Sequence, residues 1–245
     1  MHHLAVTTPV DLTDAVSIPV AALAGALCTI PLARVVRELP TALLREWSHD
    51  PQSVPLAEAL RGRALGLFAV GCAALPALAA AQHGNGWETL WISVLALTLW
   101  VLTWIDVETR LLPDRLTLGL LWAGLLVNLR EVFAPLDLAV LGAVAGYGSL
   151  FLLNAAYHRL RGREGMGAGD FKLLAAIGAW LGVGSLPAVV VIAAGSGVIL
   201  GVALLLAGRR EAGEAIAFGP HLCLGAAVML YAEIWVRPWL GVLAR

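Results

Sequence analysis

Two aspartates stand out in a chain with few acidic residues. Asp106 lies in TWIDVETRLLPDRLTL (103–118), directly after an apolar run, and Asp170 closes the glycine turn of GMGAGDFK (165–172) just before another. If the first run forms a helix ending at Asp106, the carboxylate sits at a helix C-terminus, where the macrodipole disfavours negative charge. Asp106 is therefore hard to explain as scaffolding. Asp114 follows Pro113 and precedes an apolar stretch, which is the place and chemistry of an N-cap. Glu108 and Arg110 read as a solvated turn. Asp170 is ambiguous: Gly165, Gly167 and Gly169 make a turn that can take positive φ, and the aspartate could cap the helix that follows.

Two carboxylates at one depth in a membrane are a functional site by default, because ionisable groups are costly there. The chemistry such a pair supports is aspartic proteolysis. Two close carboxyl groups hold one proton between them; the ionised one draws a proton from water and the neutral one polarises or protonates the scissile carbonyl. A helix N-terminus favours Asp170 as the anion and a helix C-terminus favours Asp106 as the acid. Gly167 and Gly169 would let the loop bring Asp170 up to its partner. Lys172, the one lysine in the chain, reads as a snorkelling interfacial residue.

Other chemistries find less support. No H-E-x-x-H is present, so a metalloprotease site is not expected. Cys28, Cys72 and Cys223 are far apart inside apolar runs, which predicts packing residues and neither disulfide nor zinc. The six histidines are scattered, and no motif pairs one with Ser196 of the GSG stretch. P-loop and dinucleotide fingerprints are missing, and a net charge of −1 gives no reason to expect a nucleic-acid partner.

The elements that must carry these residues follow from composition. The 245 residues are 60% apolar and 13% charged, far from the balance of a soluble domain. The expectation is an all-α, polytopic membrane protein of about eight transmembrane helices, each satisfying its own backbone. Candidate spans are 15–33, 64–82, 88–105, 115–129, 136–156, 171–185, 187–207 and 219–236, of which the fourth and sixth are short. Basic residues set the orientation. Arg34, Arg37, Arg45, Arg61 and Arg63, then Arg110 and Arg115, then Arg159, Arg161, Arg163 and Lys172, then Arg209 and Arg210 share one side. Only Arg130, Arg237 and Arg245 lie on the other. This places both aspartates at the cytoplasmic boundary. Trp87, Trp91, Trp104, Trp235 and Trp239 fall near span ends, where indole rings prefer to sit. The G-x-x-x-G spacings Gly142/Gly146, Gly178/Gly182 and Gly197/Gly201 predict close helix packing.

IDVETRLLPDRLTL and GMGAGDFKLLAAIGAWLG together resemble the two signature regions of the type IV prepilin peptidases, membrane proteases of the G-x-G-D class. In that family one aspartate precedes a leucine-proline-aspartate turn, here Asp106, and the second closes G-x-G-D, here Gly167, Ala168, Gly169 and Asp170. AIAFGPHLCLG (215–225) is similar to the family's proline-phenylalanine-glycine-proline stretch, with Ala217 where the first proline is usual. The resemblance covers about residues 88–236. It implies removal of the leader of prepilins or pseudopilins at the cytoplasmic face of the bacterial inner membrane, in service of a type IV pilus or type II secretion, with no cofactor for proteolysis. It further implies a division into an N-terminal membrane region, 1–87, and a catalytic peptidase domain, 88–245. The loop from 34 to 63 lacks the cysteine tetrad usual in the family. Many members also methylate the new pilin N-terminus, so S-adenosylmethionine enters only if that activity is retained. A transporter using the aspartates as a proton relay, and a non-catalytic secretion-system scaffold in which they cap helices, are the alternative expectations.

Overall fold

The computed structural model describes residues 12–47, 60, 62–84, 86–162, 165–209 and 216–231. Among them are nine α-helices: α1 (Leu12–Leu27), α2 (Thr29–Trp47), α3 (Arg63–His83), α4 (Trp87–Thr109), α5 (Asp114–Asn128), α6 (Leu136–Arg161), α7 (Ala168–Leu181), α8 (Leu186–Leu206) and α9 (Gly219–Tyr231). A short 3-10 turn, Val183–Ser185, leads into α8.

The eight expected spans correspond to these elements, with the first one divided. Pro31 has no N–H, and its ring clashes with the carbonyl four residues back, that of Leu27, where α1 stops. Five segments are long and apolar enough to cross a membrane: Val16–Pro40, Arg63–His83, Trp87–Thr109, Leu136–Arg161 and Val183–Leu206. The 15 residues of α5 and the 14 of α7 rise only about 20 Å, against roughly 30 Å of hydrocarbon. Among the described residues the protein is thus an all-helical membrane protein with five segments long and apolar enough to span, the first of them running across α1 and α2. The last part of the expected eighth span, 232–236, lies outside the described residues.

The short helices occupy the middle of the bundle. Every residue of α7 from Leu173 to Trp180 is buried, as expected of a helix apolar on all sides. It is walled by α6, α5 and α9. Gly142 on α6 and Gly178 on α7 meet backbone to backbone; a Cβ on either would overlap the other's carbonyl. Gly146 lies as closely on Leu174, where a Cβ would stand 2.6 Å from its carbonyl oxygen. The expected small-residue packing is realised here. Asn128, at the end of α5, donates through Nδ2 to the Ala179 and Trp180 carbonyls, each at 2.9 Å. Its Oδ1 accepts from the Phe133 and Ala134 N–H groups at 3.0 and 3.2 Å. One buried amide thereby joins the ends of α5 and α7 to the turn before α6. By contrast α8 presents Val191, Val198 and Ile199, each at least 65% exposed, on an apolar outer face suited to lipid.

The tryptophans do more packing than the interfacial expectation gave them. Trp87 is exposed, but Trp91 packs on the buried Trp180, and Trp104 makes edge contacts with Phe68 and Trp100. Trp235 and Trp239 lie outside the described residues, as do Arg61, Arg163, Arg210, Arg237, Arg245 and the stretch 48–59 of the expected cytoplasmic loop.

Candidate active site

The apolar run before Asp106 does not end there. α4 continues to Thr109 and is closed by Arg110, which takes a left-handed conformation with φ 53° and donates its N–H to the Asp106 carbonyl at 2.8 Å. Asp106 therefore lies inside the last turn, and the expectation of a helix ending at the aspartate is corrected. Asp106 is 5% exposed. The preceding residue, Ile105, belongs to an apolar cluster with residues of α2 and α3.

Asp170 is also not an N-cap. Gly167 holds the cap position of α7, and Asp170 is the third residue of the helix, with its carboxyl facing back to the Gly167 N–H. That is the acidic half of a capping box, favoured by the unsatisfied amides and by the dipole. The preceding turn is held from α6: Asn154 Oδ1 accepts from the Gly165 and Met166 N–H groups at 2.9 and 3.2 Å. Asp170 is 8% exposed.

Because α4 ends where α7 begins, the two aspartates meet at one end of the bundle, within electrostatic reach of each other. α9 fills the space between their helices. The Gly219 backbone abuts the Asp106 carboxyl so closely that a Cβ on Gly219 would stand 2.5 Å from Oδ2. Cys223, one turn along α9, is buried within reach of both carboxyls and of the Thr103 hydroxyl. Asp106 Oδ2 is buried without a hydrogen-bond partner among the described residues. The donor nearest the carboxyl is the Gly219 N–H at the start of α9.

Asp114 and Lys172 form a unit that sequence reasoning had kept apart. Pro113 occupies the cap position of α5, and Asp114 follows as its first residue. Both Asp114 carboxylate oxygens accept from Lys172 Nζ at 2.7 Å, which ties the start of α5 to the start of α7. Lys172 is thus paired to a partner rather than snorkelling alone, and Asp114 bridges rather than caps.

Sequence reasoning missed Leu112, Gly219, Asn154 and Asn128. A lone amide inside an apolar helix carried a signal for Asn128 and Asn154, since a buried polar group demands partners. Ser196 and His221, unlinked by motif, meet across α8 and α9 with Oγ 2.9 Å from Nδ1. The same hydroxyl lies 3.1 Å from the Ala193 carbonyl, so the pair reads as interhelical bonding within an apolar bundle.

Residues 93–202 match the model of the type IV leader peptidase family, and both aspartates fall inside the match. The chain is 43% identical over 190 residues to a prepilin leader peptidase/N-methyltransferase of Neisseria gonorrhoeae, covering 76% of this chain and 61% of that protein. It is 44% identical over 198 residues to the protein of the same name from Burkholderia pseudomallei strain 1026b, covering 77% and 63%. With the one from Pectobacterium carotovorum subsp. carotovorum it shares 47% over 182 residues, covering 72% and 60%. The chain thus spans about three-fifths of the length of these relatives. No solved structure matches it. The resemblance to the type IV prepilin peptidases stands on these matches.

Proposed function

We propose that the chain is a membrane aspartic endopeptidase that removes the leader from prepilins or pseudopilins, with Asp106 and Asp170 as its catalytic pair. The observation that carries this is the meeting of two buried carboxylates from different helices inside the family-matching region. Each carboxyl faces an amide at a helix start, Asp170 that of Gly167 and Asp106 that of Gly219; in this reading Asp170, in the first turn of α7, takes the proton of the attacking water. Asp106 supplies the acid. The dipole argument for Asp106 is weaker than a helix ending at the aspartate would make it, because the helix runs past it. Its support is that Oδ2, lying against the Gly219 backbone, makes no well-formed hydrogen bond and can carry a proton to the scissile carbonyl. The proton belongs to the pair, not to either side chain.

The basic asymmetry supports a site at the cytoplasmic face of the inner membrane. The substrate's apolar stem stays in the bilayer and its leader reaches the carboxylates from the water side. A substrate held this way is already positioned, which supplies part of the rate. The family match falls within 88–245, and that supports reading this part as the peptidase and 1–87 as an accessory membrane region. N-methyltransferase is the second activity in the relatives' names; in this chain it would methylate the processed N-terminus with S-adenosylmethionine. The mass of the processed pilin decides whether this chain retains it.

Co-expression with a prepilin tests the proteolytic reading. Asp106→Asn and Asp170→Asn should each slow leader removal by about 10²-fold or more, the scale of acid–base catalysis. Leader removal at the wild-type rate in either variant overturns the assignment and leaves the scaffold or relay alternatives.

A further inference from the structure

The carboxylates that should meet a water and a peptide are almost completely covered, at 5% and 8% exposure. The cover is identifiable. Leu112, in the irregular segment between α4 and α5, lies on Gly169 of α7: a Cβ there would stand 2.8 Å from the leucine Cβ. Its Cδ1 reaches to 3.2 Å from the Cβ position of Gly219, the same point that lies 2.5 Å from Asp106 Oδ2. One leucine side chain therefore spans from the residue before Asp170 to the edge of the Asp106 carboxyl. Glycine at both ends is what admits it.

The segment carrying Leu112 is fixed at two points. At one end Arg110 holds a left-handed φ of 53°, a conformation unfavourable for a residue with a Cβ. At the other end Asp114 is held by Lys172, two residues beyond Asp170, in the two-oxygen ion pair. The pair is half open to solvent, with side-chain exposures of 57% and 26%, so it is a bond that water or a charged leader can replace.

We propose that Leu112 is the access residue of the site. In the free protein its side chain occupies the groove between Gly169 and Gly219 that the substrate chain must enter, and the Asp114–Lys172 pair is the latch that keeps it there. Parting the latch lets the segment swing about Arg110, relieving its left-handed backbone and uncovering the Asp106 carboxyl. This inference rests on the proteolytic reading for its purpose, but its test does not.

The full-length protein in lipid nanodiscs is treated with 1,2-epoxy-3-(4-nitrophenoxy)propane, which esterifies accessible carboxylates, and modification is followed by peptide mass spectrometry. Exposed Glu108 serves as the internal reference. Leu112→Ala should raise modification of Asp106 and Asp170 by about tenfold relative to Glu108, the measure of a lost local closure. Lys172→Met should raise it by about threefold, and the exchange Asp114→Lys with Lys172→Asp should return it toward the wild-type rate. Thermal unfolding midpoints identify variants that lost the fold; should Leu112→Ala be one, the Lys172→Met and exchange pair decides. The proposal is overturned if folded variants modify at the wild-type rate, or if the exchange fails to reverse the effect of Lys172→Met. An enhanced modification in Leu112→Ala together with unaffected cleavage by Asp→Asn variants would remove the proteolytic reading and keep the cover.

Discussion

At the residue scale the site is defined by what surrounds each carboxyl. Asp170 faces the Gly167 amide before α7; Asp106 faces the Gly219 amide at the start of α9, with the bare Gly219 backbone against its Oδ2. If the pair works with one shared proton, the rate must fall on both sides of an optimum. At low pH both groups are protonated and no base remains; at high pH both are ionised and no acid remains. A bell-shaped profile of leader removal is expected, and a profile that rises to a plateau would argue against the pair. Gly219→Ala tests the neighbour. Its Cβ would stand 2.5 Å from Oδ2, so Asp106 must shift. A displacement of this kind costs about 10²-fold in rate. The loss should appear in kcat with the unfolding midpoint nearly unchanged.

At the element scale the decisive helix is α7, short and enclosed, whose start bears Asp170 and whose end is tied down by Asn128. The last four carbonyls of a helix have no intrahelical partner, and Asn128 satisfies two of those on α7 while accepting two N–H groups from the turn before α6. Asn128→Ala strands these groups and should destabilise the protein by about 2–4 kcal/mol, more than one ordinary hydrogen bond returns. Chemical denaturation in detergent would measure it, and a change below about 0.5 kcal/mol would show that the clasp is dispensable. Leu112 belongs to this scale too, because the loop moves as a unit between two helix ends.

For the whole molecule, the question is which side the aspartates face. The carboxylates lie at the bundle end that also carries Arg110, Arg115, Arg159 and Arg161, whereas Arg130 lies at the opposite end. A cavity of about 620 Å³ lined by Gln82, His83, Glu88 and Ser185 opens at that far end, away from the carboxylates. In a background with exposed Cys28 replaced, an impermeant maleimide applied from the periplasmic side should label Arg130→Cys and spare Glu108→Cys. The reverse pattern would turn the molecule over and remove the cytoplasmic site.

The membrane character, the two aspartates and the helix order were legible because each is local: apolar runs of a given length, carboxylates at run boundaries, glycines spaced for contact. Helix ends were less legible. α4 outruns its apolar stretch because hydrogen bonding continues until Arg110 turns left-handed, and α1 stops early because Pro31 is placed to stop it. The pairing of Asp114 with Lys172, the seat of Leu112 between two glycines and the reach of Asn128 across three elements lay beyond any reading of spacing. Each joins residues more than 45 positions apart, or closes on a backbone whose approach depends on how the helices pack. Sequence by itself determined which side chains could do chemistry and the end of the bundle they occupy, since helix direction alternates along the chain. Only the packed structure decided what touches them, because contact depends on distances that a one-dimensional pattern does not contain.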